Sequence, residues 1–375
     1  MTWLSKHRES ERLASEAEFA KHRGAATEAR SLYKTAAQAE AEALKLVLSD
    51  KPKTLGVTAV SAVALNFKAH EFDLAEELAL SCLVNPQMPA FAKEELRAVA
   101  QTIWNERLFK SSGVEFVGGE LLVSVAGGLI AVGAAPLELV HRKVDEVKNL
   151  FFRAIEMLME KPLRRHGSPS QELREQFRPW MVQAPAGSYQ FALRVEKPRQ
   201  MEIFPNATPA VENATHTLLK IVEAASTGSI DQFASVIPRE DYRECFIKQT
   251  RNLAPTGKTF DRLTIRSTSQ EDGSPIVLSP RSRKALAETL RATAIITPGE
   301  DELRQEQIVG VLRAVHLDKD WLEVADEKTG EHITVYQTGN VIDDLVGPMV
   351  NHKVVVEVRV HPDGKRVFKD IQSEE

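Results

Sequence analysis

Residues 7 to 110 contain only three prolines (52, 86 and 89) and two glycines (24 and 56), in a stretch rich in Ala, Glu, Leu and Lys. Gly and Pro are the residues a helix interior tolerates worst, and the enriched residues are among its best formers, so this stretch reads as helical. The breakers fall in groups, at Arg23-Gly24, at 49 to 53, at Ala69-His70 and at 85 to 89. They cut it into five helices with short connections, the pattern of antiparallel neighbours. Beyond residue 112 strand-like runs enter, and a chain of 375 residues exceeds one ordinary core. The expected fold class is multi-domain α+β: an N-terminal antiparallel helical module (1–112), a central α+β domain (113–296), a linker (297–302) and a C-terminal small β-barrel (303–375).

Small residues in the helical stretch are regularly spaced. Leu13 and Ala17 lie on one helix; Gly24, Ala29, Tyr33 and Ala36 follow at intervals of 5, 4 and 3. This resembles a tetratricopeptide repeat, in which a glycine starts the turn, small residues let two helices approach and an aromatic fills the groove between them. A second match runs through Val63, Ala75 and Cys82, with His70 in place of the glycine and Ala79 in place of the aromatic. The matches lie 46 residues apart, where the family has 34, which implies a longer second helix over 25–48. The resemblance implies a protein-binding surface on the first helix of each pair, with Asn66 and Lys68 as partner-binding candidates by position. The plainer reading makes them ordinary solvated helix-face residues. Trp104 shares a helical spacing with Leu96, Ala100 and Leu108 and reads as core.

Residues 121 to 137 carry no charge, but 17 residues fall short of the ~20 a spanning helix needs. Gly127-Gly128 sits between two apolar runs, so the segment reads as a β-hairpin, since glycine reaches the positive φ of tight turns, and no membrane span is expected. Pro136 opens an amphipathic helix over 137–161, placed to cover one face of that hairpin. Arg164, Arg165, Arg174 and Arg178 around the following basic turn are anion-binding candidates; a solvated positive loop beyond a helix C-terminus is the simpler account. Strands then read at 180–183 and 189–195, joined by a turn at 185–188, with helices at 209–225, 230–236, 239–252 and 280–293 and strands at 260–266 and 275–278. Irregular mixing of this kind argues for α+β and against a doubly wound nucleotide-binding sheet.

Motif chemistry is sparse. Asn252-Leu-Ala-Pro-Thr-Gly-Lys-Thr259 ends like a phosphate-binding loop, but Asn252 stands where its first glycine belongs, and a helix rather than a strand precedes it. No His-Glu-x-x-His pair and no Gly-x-Ser-x-Gly elbow occurs. Asp318 and Asp320 read as a turn. No catalytic residue, cofactor or metal is therefore assigned, although a catalytic site can be assembled from distant positions. Cys82 and Cys245 fit no CxxC spacing and read as buried thiols, in keeping with a reducing, cytoplasmic setting; the charged N-terminus shows no export signal.

Beyond 302, strand-like runs at 307–315, 321–325, 332–337, 353–360 and 366–371 suggest a closed barrel similar to the oligonucleotide-binding or SH3-like type. This segment holds 9 Lys/Arg against 14 Asp/Glu, and only Trp321, Tyr336 and Phe368 as aromatics. Lys365, Arg366 and Lys369 form a basic corner, but the overall charge disfavours nucleic acid as the partner. The stretches around Gly187–Phe191 and Asn252–Pro255 are similar to segments of uncharacterised bacterial proteins, which implies a bacterial-type origin and no activity. The functional expectation is a non-catalytic adaptor or scaffold with a protein partner. Its rivals are a nucleic-acid-binding protein using the barrel and basic loop, and an enzyme with a site in the central domain.

Overall fold

The breakers of the N-terminal stretch fall between helices: α1 (Trp3–His22), α2 (Ala26–Lys45), α3 (Pro52–Lys68), α4 (Phe72–Leu83) and α5 (Ala90–Ser112). The structure, a computed structural model, describes residues 2–48, 50–112, 116, 120–131, 134–165, 167–183, 189–196, 211–227, 230–267, 275–293, 303–338 and 343–374. The expected linker at 297–302 and turn at 185–188 lie outside them. Fold and sequence agree on mixed helix and sheet, with a helical N-terminal region and a C-terminal sheet. The chain divides into two compact units, Met1–Glu115 with Val182–Gln190, and Phe116–Met181 with Phe191–Glu375.

In the helical unit a reciprocal capping box between Thr2 and Ser5 starts α1, and Pro52 opens α3 at a position where its missing donor costs nothing. Two turns share a left-handed residue: Gly24 at φ 78° after α1, and His70 at φ 59° after α3. Each helix packs on the next, and α3 also meets α5. Alanine dominates the contacts: Ala17, Ala20, Ala36 and Ala37 in one cluster, Ala59, Ala75, Ala79 and Ala92 in the other. With so small a side chain the backbones approach closely, and stability comes from many close contacts rather than a few large side chains.

From residue 116 on come β1 (Leu121–Ala126), α6 (Leu137–Leu158), α7 (Gln171–Gln176), β2 (Pro179–Gln183) and β3 (Gln190–Val195), of which the end of β2 from Val182 and Gln190 of β3 count with the first unit. The chain continues with α8 (Val211–Thr227), α9 (Ile230–Val236), α10 (Glu240–Leu253), β4 (Arg262–Ser267), β5 (Ile276–Leu278) and α11 (Pro280–Thr293). The strands form one sheet in the order β2-β3-β1-β4-β5. This overturns the hairpin expected at 121–137. β1 pairs antiparallel with β4, from Leu121 opposite Ser267 to Ala126 opposite Arg262, instead of with the arm after Gly127-Gly128. The reason lies in β1 itself: Leu121, Leu122, Val123 and Val125 are all buried, so both faces are covered and the strand belongs at the sheet centre. Gly127 and Gly128, at φ 86° and 60°, turn the chain against Thr259 and Asp261 at the entrance to β4, where the Leu129 N–H donates to the Thr259 carbonyl at 2.8 Å. The helix laid against β4 and β5 is α8, and α6 packs on α8 and α10.

The C-terminal strands are β6 (Arg304–His316), β7 (Trp321–Asp326), β8 (His332–Tyr336), β9 (Lys353–Val360) and β10 (Arg366–Ser373), with α12 (Asp343–Val346) between β8 and β9. Their order is β10-β8-β7-β6-β9; β10 pairs antiparallel with β9 and meets β8 at Val367 opposite Tyr336. Alternating residues, among them Ile308, Leu322, Val324, Val335 and Val356, point inward and form an apolar core that also takes in Cys245 of α10. Among the described residues no helix is long and apolar enough to cross a membrane.

Candidate functional site

The two residues that the repeat resemblance singled out have different surroundings. Asn66 is buried, and its Nδ2 donates to the Ala62 carbonyl one turn earlier on α3 at 2.8 Å. A buried amide that bonds its own helix is a packing residue in this arrangement. Lys68 is part-exposed at the end of α3. Its Nζ meets Glu18 Oε1 of α1 at 2.8 Å and lies 5.5 Å from the ring centroid of Tyr33 on α2, whose hydroxyl also donates to Glu18. Partial burial pushes the Glu18 carboxyl up, but the Lys68 and Tyr33 hydrogen bonds outweigh it and hold the carboxyl below its usual range. Three helices are thereby joined through one carboxylate. The aromatic of the repeat-like pattern and the candidate lysine meet there, which sequence spacing alone does not show.

A second feature of the helical unit is its outer α4–α5 face. Leu80 and Val84 at the end of α4, and Trp104 and Leu108 on α5, are exposed, by 44% for Trp104 and 69% for Leu108. This corrects the reading of Trp104 as core. The buried stripe of α5 runs through Ala92, Leu96, Ala100 and Ile103, and Trp104 falls beside it. The Trp104 Nε1–H donates to Glu76 Oε1 of α4 at 2.7 Å, and Arg107 pairs with Asp73 and Glu76. The indole is held by its polar edge while its rings stay open to solvent, the posture of an aromatic suited to contact.

In the second unit the four candidate arginines are distributed rather than convergent. Arg164 Nε meets the buried Glu156 at 2.9 Å, Arg165 lies 3.4 Å from Asp320, and Arg178 lies 3.6 Å from Glu196. Arg174 stands exposed on the last turn of α7. The phosphate-loop-like segment is a helix-to-strand turn with Gly257 at φ 89°, and Lys258 Nζ pairs with Glu374 at 2.8 Å. Its lysine thus already faces a carboxylate, and the order of elements is the reverse of a phosphate loop.

An open cavity of about 1030 Å³ lies between the end of α6, α8, α9 and the start of α10. Met157, Leu158, Ala224, Val236 and Pro238 give it an apolar floor, and Lys220, Glu223 and Arg239 edge it. Arg239 is committed to Asp241 and to the Lys161 carbonyl. This arrangement can hold apolar matter. Cys82 and Cys245 are buried and unbridged, and burial pushes the Cys82 thiol up, away from a reactive thiolate. Among the described residues no group of three or more His, Cys, Asp or Glu is placed to hold a metal ion. Compared with known proteins, the chain matches no family model, no curated protein and no solved structure, so its function has to be read from these residues and their geometry.

Proposed function

We propose that this chain is a non-catalytic adaptor that docks a protein partner on its helical unit. The observation that carries the proposal is the α4–α5 face, where Leu80, Val84, Trp104 and Leu108 stay exposed on helices that pack through Ala75 and Ala79 of α4 and Leu96, Ala100 and Ile103 of α5. Scattered exposed apolar residues are ordinary, but several on two adjacent helices, with an indole fixed at its edge, mark a surface that a partner covers. Sequential antiparallel packing from α1 to α5, left-handed residues at the Gly24 and His70 turns, and the Tyr33 joint support a tetratricopeptide-like reading of the unit. In the same proposal the C-terminal strands close as a small oligonucleotide-binding or SH3-like barrel, supported by the pairing of β10 with both β9 and β8. The adaptor works in a reducing compartment, in keeping with two buried thiols.

Photo-crosslinking on the full chain tests this reading. A crosslinker at position 80 or 108 should join one discrete protein, whereas one at the exposed position 12 on α1 should not. No adduct at 80 and 108, or equal labelling at all three positions, overturns the proposal.

A further inference from the structure

We infer that the outer face of β6, β7 and β8 stacks the bases of a short single-stranded nucleic acid, a second binding surface independent of the helical unit. The register places three rings in one row. His316 lies opposite Trp321 on β7, and Trp321 lies opposite Tyr336 on β8. Residues directly opposite in a ladder project from the same face. The neighbours Leu322 and Val335 are fully buried, so the face carrying Trp321 and Tyr336 is the outer one. Tyr336 is 40% exposed, and the His316 and Trp321 rings are 5.8 Å apart, tilted by 41°. Adjacent strands lie about 4.8 Å apart, so the row is about 10 Å long, the span of two or three splayed bases.

A cation flanks the row at one end. Lys365 Nζ lies 5.1 Å from the Tyr336 ring centroid. At the other end the Lys319 backbone N–H donates to His316 Nδ1 at 3.2 Å, which fixes the orientation of that ring. Two nearby carboxylates are already engaged: Asp320 faces Arg165 at 3.4 Å, and Glu323 faces His332 at 2.7 Å. The 14 acidic against 9 basic residues of 303–375 exclude a binding mode driven by general positive charge. Ring stacking tolerates any base, so a ligand held chiefly by its bases, with one or two phosphates near Lys365, fits this face.

The test is fluorescence anisotropy of the full chain with labelled oligo(dT) and oligo(U) of about twelve nucleotides, at low and high salt. Tyr336→Ala should weaken binding about five- to 150-fold, and Tyr336→Phe, which keeps the ring, should restore it. Lys365→Ala removes one cation from an exposed turn and should flatten the plot of log K against log salt by about 0.7. The full slope should be no steeper than about −1.4, the figure for two single-strand phosphate contacts. Absence of binding at low salt overturns the inference, as does a Tyr336→Ala variant that binds like the parent or a slope well beyond that limit. Binding of a proline-rich peptide to the same row without any oligonucleotide binding would assign the face to protein and also overturn it. Since the adaptor reading is tested on α4 and α5, either result leaves the other legible.

Discussion

At single positions, the structure separates residues whose backbone demands glycine from those where space does. Gly127 combines both: at φ 86°, an added Cβ would sit 2.3 Å from Asp261 Oδ2. Gly364 shares the left-handed backbone, at φ 82°, but nothing lies within 4 Å of its added Cβ. Gly364→Ala should therefore cost about 1 kcal/mol, the left-handed penalty alone. Gly127→Ala should cost more, on the order of 2–3 kcal/mol, with both values read from urea unfolding of the full chain. Trp104 shows why a residue-level reading fails. Steps of four residues advance about 40° each around a helix, so a run from 96 to 100, 104 and 108 rotates off the packed face. Ile103 lies only about 20° from Leu96 in projection, and it is the residue that is buried. The burial of Asn66 was equally hidden, because an amide that bonds its own helix leaves no trace in the spacing.

Among the elements, helix pairing carries two expectations. On the outer α4–α5 face, Leu80→Ser with Leu108→Ser removes exposed apolar surface without opening a core. Its thermal stability should stay within about 1 kcal/mol of the parent while the partner crosslink at Val84 disappears. Between α1 and α2, the buried Glu40 meets His7 Nδ1 at 2.9 Å. Burial, only partly opposed by His7 and Ser10, raises the Glu40 carboxyl above its usual range. An acid whose folded value is raised holds its proton longer in the folded state. Its stabilising contribution is complete below the unfolded value of about 4.3 and declines as pH rises through the folded one. Glu40→Gln should remove the falling part that this group adds to the plot of melting temperature against pH above that value, so the variant's curve should rise relative to the parent's. Most helices and strands were legible because prolines, glycines and alternation mark their limits locally. The partner of β1 was not, since the choice between a near arm and β4 rests on burial of both faces, a tertiary property.

Across the second unit as a whole, a few buried cations connect the helices to the C-terminal strands. Arg251, 1% exposed on α10, pairs with Asp370 of β10, with Nη2 to Oδ1 at 3.2 Å, and its Nη2 also reaches the Ile371 carbonyl at 2.8 Å. Arg283 of α11 donates to the carbonyls of Arg251, Ala254 and Ser373 at 2.9, 3.0 and 3.0 Å. Removing one member of a buried pair leaves the other charge uncompensated, so Arg251→Met should destabilise the chain by about 3 kcal/mol in chemical denaturation. Arg251→Met together with Asp370→Leu should recover most of that loss, because replacing both ends removes the stranded charge.

The link between α10 and β10 spans 119 positions of sequence. During synthesis at roughly 5–20 residues per second, about 6 to 24 seconds pass between the emergence of the guanidinium and of its carboxylate. Throughout that interval the helix carries an unmatched cation on the surface that later becomes interior. The second unit therefore has a built-in delay: its helices can form early, but their final seating waits for a strand made much later.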